Sequence, residues 1–231
     1  MNPLGYVFAR GRNERVAANV LAKRIIDGVE GTTYFSQIYT NKRTAVASGE
    51  GPRGESDDDR AKRLLRQARN RKLGFGSPQS TSNFLIPALM MQRAGVHPFA
   101  SFSLVQFVGG HETVARAVYD GTIDIGAGHD GAIHDLSTVY GYGDAEDRLV
   151  RIARSSPIPS DPIAVNVPDD ERKRIVKALL DAGNDEAGKR AIDVFWGHAT
   201  GLAETKPEAY DGLKEALTSL GLHEADLIRP T

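Results

Sequence analysis

Residues 72–130 read KLGFGSPQSTSNFLIPALMMQRAGVHPFASFSLVQFVGGHETVARAVYDGTIDIGAGHD, and the alternation within that stretch decides the fold class. A short apolar run, KLGFG at 72–76, precedes a hydroxyl-rich turn and a helix that begins near Ser80 to Ser82. A second run, FSLVQFV at 102–108, leads into a helix opening at His111, and a third, TIDIGA at 122–127, follows that helix. Strands alternating with helices imply crossover connections and a largely parallel sheet.

Toward the carboxyl end, 131–139 reads as a helix and 149–154 as a strand. After Pro157-Ile158-Pro159 come a strand (IAVNV, 163–167) and a helix over 168–182. That helix has acids in its first turn, apolar residues at Ile175, Val176, Leu179 and Leu180, and Gly183 as its stop. Residues beyond 183, including a helix over 207–220, read as α-helical. Toward the amino end, 20–26 (VLAKRII) and 34–39 (YFSQIY) read as strands about a Gly28–Gly31 turn. A loop over 44–59 and a charged helix from about Asp57 to Arg71 follow. The basic residues of that helix (Arg60, Lys62, Arg63, Arg66, Arg69, Arg71, Lys72) form its solvated face, and Asp57, Asp58 and Asp59 suit the positive end of its dipole.

The 231 residues permit one large α/β domain or two smaller lobes. Basic and acidic residues number 29 and 30, so no global field draws the chain to nucleic acid or an anionic membrane, and any anion has to be held locally. The absence of cysteine excludes disulfides, thiolate nucleophiles and cysteine-rich zinc sites. The longest apolar run, Phe84 to Met91, is broken by Pro87 and too short to span a bilayer, so no membrane insertion is expected. The opening residues lack the basic stretch and apolar core of a secretory signal.

Candidate chemistry gathers at the strand ends. Gly76-Ser77-Pro78-Gln79-Ser80-Thr81-Ser82 lies between a strand and a helix, where unpaired backbone N–H groups and three consecutive hydroxyls suit a tetrahedral oxyanion. The same residues also read as an ordinary N-cap within a loop. Pro87 predicts a kink or a short first turn. His111, and His129-Asp130 after the third strand, occupy equivalent junctions, so three strand ends offer polar groups toward one crevice. Asp161 sits in the proline-stiffened segment 157–162 and reads otherwise as a turn residue. HExxH, GxxxxGK[ST] and GxSxG motifs are absent, and Gly74-Phe75-Gly76 falls short of a dinucleotide fingerprint. No metal, no cofactor and no enzymatic constellation is therefore read.

Three segments, GSPQSTSNFLIP, FVGGHETVARAVYDGTIDIGAGHD and RIARSSPIPSDPIAVNVP, resemble in motif, order and spacing the phosphate/phosphite/phosphonate-binding proteins of ABC transporters. The likeness runs from Tyr6 to about Ala182. It implies a two-lobed type II periplasmic-binding-protein fold that closes on its ligand, with lobe two at 35–154 and the rest of lobe one at 1–34, with the hinge, and 155–231. Ser80, Thr81 and Ser82 would hold the oxygens of a phosphonate, phosphite or phosphate, and Tyr6 would approach them from the other lobe. His111 and Asp161 would face the organic end of the ligand, with Asp130 near the family's usual acidic position. Because Asp161, together with Asp130, would otherwise oppose an anion in a partly desolvated cleft, a ligand with a cationic tail, such as an aminoalkylphosphonate, is expected to bind better than inorganic phosphate. The partner would be an ABC transporter permease and the compartment periplasmic or cell-envelope. Members of the family normally carry a further opening stretch and an export signal before the Tyr6 segment, so lobe one is expected to be incomplete. A cytoplasmic ligand sensor or a truncated remnant on the same fold is the alternative, and an enzyme using His111 or Asp130 as a base a third.

Overall fold

The computed structural model describes residues 1–44, 46, 51–196 and 198–227. The first elements are α1 (Pro3–Arg12), β1 (Ala17–Ile26), β2 (Val29–Gly31), β3 (Thr33–Tyr34), β4 (Ser36–Asn41), α2 (Asp57–Gln67) and β5 (Lys72–Phe75). A π-helical turn (Thr81–Leu85) then runs into α3 (Ile86–Arg93), followed by β6 (Leu104–Phe107), α4 (His111–Asp120), β7 (Ile125–His129), α5 (Ala132–Thr138), α6 (Ala145–Arg148) and β8 (Leu149–Arg154). The chain continues through β9 (Ile158–Pro159), β10 (Pro162–Val165), α7 (Asp169–Ala182), α8 (Glu186–Trp196), β11 (Ala199–Glu204), a 3-10 turn (Pro207–Tyr210), α9 (Asp211–Ser219) and α10 (Glu224–Leu227). Two units result: unit one is Met1–Tyr34 with Pro157–Thr218, and unit two is Phe35–Ser156 with the residues from Ser219 onward. The loop expected over 44–59 falls partly on residues 45 and 47–50, which lie outside the described residues.

Unit two is built on a five-stranded sheet in the order β6-β5-β7-β4-β8. β5 runs parallel to β6 and β7, whereas β4 is antiparallel to both β7 and β8. Four of the five strands thus run in one direction, in keeping with the expected largely parallel sheet, and β4 alone is reversed, because an apolar run carries no information about direction. This topology brings the carboxyl ends of β5, β6, β7 and β8 and the amino end of β4 to one edge of the sheet.

The core beneath α4 joins Val114, Ala115 and Val118 to Tyr39, Ile123, Leu136, Ala145 and Leu149. Each such large side chain taken out of water stabilises the fold by about 1.5–3 kcal/mol. Gly126 is what lets α4 seat so closely, since a Cβ there would meet Val118, Tyr39 and Val114 at 2.7–2.9 Å. The strand expected at 122–127 begins only at Ile125. Gly121 ends α4 in the left-handed region (φ 79°), Thr122 Oγ1 donates back to Ala117 O, and the Asp124 carboxylate accepts from Lys72 N at 2.9 Å. Thr122 to Asp124 are therefore occupied in closing the helix and joining it to β5.

Unit one centres on β1, flanked antiparallel by β10 and β11, with β2 folded back as a hairpin. β11 corrects the reading of everything beyond 183 as helical. Its sequence, ATGLAE, has weak strand propensity, and pairing with β1 overrides that. Val176, Leu179 and Leu180 of α7 and Trp196 of α8 pack on Val20, Ala22, Ile192, Ala199 and Leu202. α1, unread in the sequence, is opened by Asn2, whose Oδ1 accepts from Gly5 N at 2.7 Å, and by Pro3 in its first turn.

Candidate functional site

The hydroxyl cluster 80–82 owes its position to a proline. Leu85 N donates to Ser80 O and Ile86 N to Thr81 O, the wide spacing of a π turn. Pro87 lacks the N–H that would continue the ladder to Ser82 O or Asn83 O. Both carbonyls find other donors: Ser36 Oγ bonds Ser82 O at 2.7 Å, and Gly76 N bonds Asn83 O at 3.3 Å. The proline-opened turn is thereby fastened to β4 on one side and to the end of β5 on the other. Ser80 Oγ accepts from Asn83 N at 3.1 Å and is the N-cap. Thr81 and Ser82 are almost fully buried, at 1% and 4% exposure, in the opening turn of the helix.

The neighbouring strand ends close on the same place. Gly109 N donates to Gly76 O at 3.0 Å, which ties the β6 junction to the β5 junction. His111 begins α4, and its Nδ1 accepts from His129 N at 3.2 Å, so the ring proton resides on Nε2. Burial pushes the His111 pKa down to about 4, leaving a neutral ring that can donate. The His129 ring lies edge-on to His111, with centroids 4.6 Å apart. Its Nδ1 accepts from Gly131 N, which directs Nε2 to Asp135 Oδ2 at 3.4 Å.

Asp130 is held at the end of β7 by its backbone: its N–H donates to Phe35 O, and its carbonyl accepts from Gln37 Nε2 at 3.1 Å. Its carboxylate faces Arg154 at 3.7 Å, and the Arg154 guanidinium lies 3.7 Å over the Phe35 ring. The strand register explains the grouping, because Ser36 pairs with His129 and Gln37 with Arg154. Phe35, Ser36, Gln37 and Arg154 were not read as site residues in the sequence. Their signal is the antiparallel placement of β4 and β8, which the local pattern does not carry.

Unit two therefore brings together Ser80, Thr81, Ser82, His111 and Asp130. Tyr6 and Asp161 belong to unit one. Tyr6 is fully buried, its hydroxyl accepts from Ala18 N at 3.1 Å, and its ring meets Tyr210 edge-on at 4.9 Å. Asp161 is ion-paired with Arg24 at 3.3 Å; burial raises its pKa, against the pull of that guanidinium.

The chain is similar in fold to several solved structures. The chain covers 96% of itself and 67% of a binding-protein component of an ABC phosphonate transporter from Pseudomonas aeruginosa, at 18% identity and a TM-score of 0.73. It matches PhnD1 from Prochlorococcus marinus, solved in complex with methylphosphonate, at 19% identity and a TM-score of 0.73, over 95% of this chain and 76% of that one. A Xanthomonas citri protein solved with ATP bound is similar at 18% identity and a TM-score of 0.72, over 99% and 78%. These likenesses carry the fold, that of the type II periplasmic binding proteins. No curated protein matches the sequence. The family model of the periplasmic phosphonate substrate-binding proteins of ABC transporters matches residues 1–210. That match does not favour the sensor or remnant alternative, and the chain belongs to this family of phosphonate-binding transport proteins.

Proposed function

We propose that unit two holds the phosphorus oxyanion of a phosphonate, phosphite or phosphate at the Thr81–Leu85 turn, and that the chain hands it on to an ABC permease in the periplasm or cell envelope without chemical turnover. The observation that carries this reading is the turn itself: two buried hydroxyls, Thr81 and Ser82, at the amino end of a helix fixed by Ser36 and Gly76. Neutral donors and the helix dipole stabilise a phosphonate in a chain whose net charge is only -1. A neutral His111 Nε2–H adds a donor of the same kind.

The same geometry argues against a catalytic base. His111 Nδ1 is taken by the His129 amide, and Asp130 is paired with Arg154. The resemblance also assigns ligand contacts to Tyr6 and Asp161, but the reading here rests on unit two alone. Calorimetric titration with methylphosphonate tests it. Hydrogen bonds to a charged group contribute about 1.5–3 kcal/mol, so Thr81→Ala weakens binding by about one to two orders of magnitude. An unchanged affinity in that variant removes the oxyanion from this turn.

A further inference from the structure

Two carboxylates, Asp130 and Asp161, read in the sequence as anchors for a cationic ligand tail. Each already faces an arginine within its own unit: Asp130 meets Arg154 at 3.7 Å, and Asp161 meets Arg24 at 3.3 Å. The Arg154 side chain has little freedom to leave, since its guanidinium is stacked over Phe35 and its backbone lies in register with Gln37 on β4. Asp130 is equally fixed, with its N–H on Phe35 O and its carbonyl on Gln37 Nε2. The carboxylate is 11% exposed, so a competing ammonium would have to displace the guanidinium from a largely dehydrated position. At the same strand end His111 is a neutral donor through Nε2, and the His129 ring is directed through its own Nε2 to Asp135.

From this arrangement we infer that the site selects phosphonates with an uncharged substituent and discriminates against aminoalkylphosphonates, Arg154 being the residue that sets this preference by cancelling Asp130. The inference rests on the reading that unit two binds the phosphorus oxyanion. An ammonium brought beside a balanced Asp130–Arg154 pair gains no net attraction to the carboxylate and feels the guanidinium as a like charge. An apolar methyl or ethyl group carries neither cost. The expected specificity is therefore the opposite of that suggested by the two carboxylates taken alone.

The test is a set of calorimetric titrations of the full chain with methylphosphonate, ethylphosphonate and 2-aminoethylphosphonate. The unaltered protein is expected to bind the two alkyl compounds at least about tenfold more tightly than the amino compound. Arg154→Gln uncovers the carboxylate, weakens alkylphosphonates, and moves the amino-to-alkyl affinity ratio by about tenfold or more toward the amine. Adding Asp130→Asn to that variant restores charge balance and returns the ratio toward the starting value, which a merely misfolded Arg154→Gln protein cannot do. If the unaltered protein prefers 2-aminoethylphosphonate, or if the ratio is the same in all three proteins, the inference is overturned while the binding function stands. If none of the three ligands binds, the functional reading itself fails and the inference with it.

Discussion

Replacing Gly76 by alanine tests whether the turn and the β6 junction form one construction. A Cβ at Gly76 would lie 2.2 Å from Asn83 Nδ2, 2.5 Å from Asn83 Cγ and 2.7 Å from Gly109 O. The Asn83 amide can rotate away, but it is buried and has little space to enter. Gly109 O is backbone and cannot rotate, so the 109–111 segment has to move by roughly half an ångström or more to reach ordinary contact distance. Overpacking of this kind costs about 1–3 kcal/mol, or roughly 2–12 °C in melting temperature for a chain of this size. The Gly109 N to Gly76 O bond and the seating of His111 shift with it, so methylphosphonate affinity is expected to fall by about tenfold or more. Gly121→Ala serves as the comparison. That glycine has φ 79° and open space around a Cβ, so its variant carries backbone strain without crowding the site. Thermal melting followed by calorimetry reads both effects. If Gly76→Ala binds methylphosphonate as tightly as Gly121→Ala does, the two junctions are not coupled as argued.

Two further outcomes follow from buried groups in unit two. Ser36→Ala removes the donor to Ser82 O and leaves a buried carbonyl unpaired, which should lower unfolding free energy by about 1–3 kcal/mol in urea titration; a neutral result would mean that the proline-opened turn is secured elsewhere. His111 has its pKa lowered from 6.5 to about 4 by burial, so the unfolded chain binds a proton over that range that the folded chain does not. Its stabilising contribution is present above pH about 6.5 and is lost as pH falls toward about 4, at most about 3 kcal/mol in all. Urea unfolding at pH 7 and pH 5 should show this loss in the unaltered protein and a smaller one in His111→Gln, and equal losses would contradict it.

Much of the candidate site is legible in the sequence because its chemistry is local. Ser80, Thr81 and Ser82 follow a strand signal and precede an apolar helix, and the N-cap bond from Ser80 is the physical content of that pattern. Pro87 announced an irregular first turn, realised as a π turn whose displaced carbonyls are taken by Ser36 and Gly76. What was not legible depends on pairing across distance. Arg154 reads as the end of a strand, and only the antiparallel register of β8 on β4 and of β4 on β7 sets it against Asp130. A carboxylate viewed without its arginine suggests a cation site, which is the reading that Asp130 and Asp161 invite in the sequence alone. β11 was hidden for a related reason: Ala199 to Glu204 become a strand through their ladder to β1, and their composition gives little warning of it.

The most direct measurement on the central claim is an amide proton–nitrogen NMR titration of the isotope-labelled chain with methylphosphonate. Saturating ligand should move the Thr81 and Ser82 amides downfield, because an oxyanion at the opening turn accepts from backbone N–H groups there. The Asn83 amide, already donated to Ser80 Oγ, should move less, and the His111 Nε2–H should shift with the first two. Shifts confined to the basic face of α2, around Arg60, Lys62 and Arg66, with the 80–82 amides unmoved, would contradict the placement of the anion at this turn.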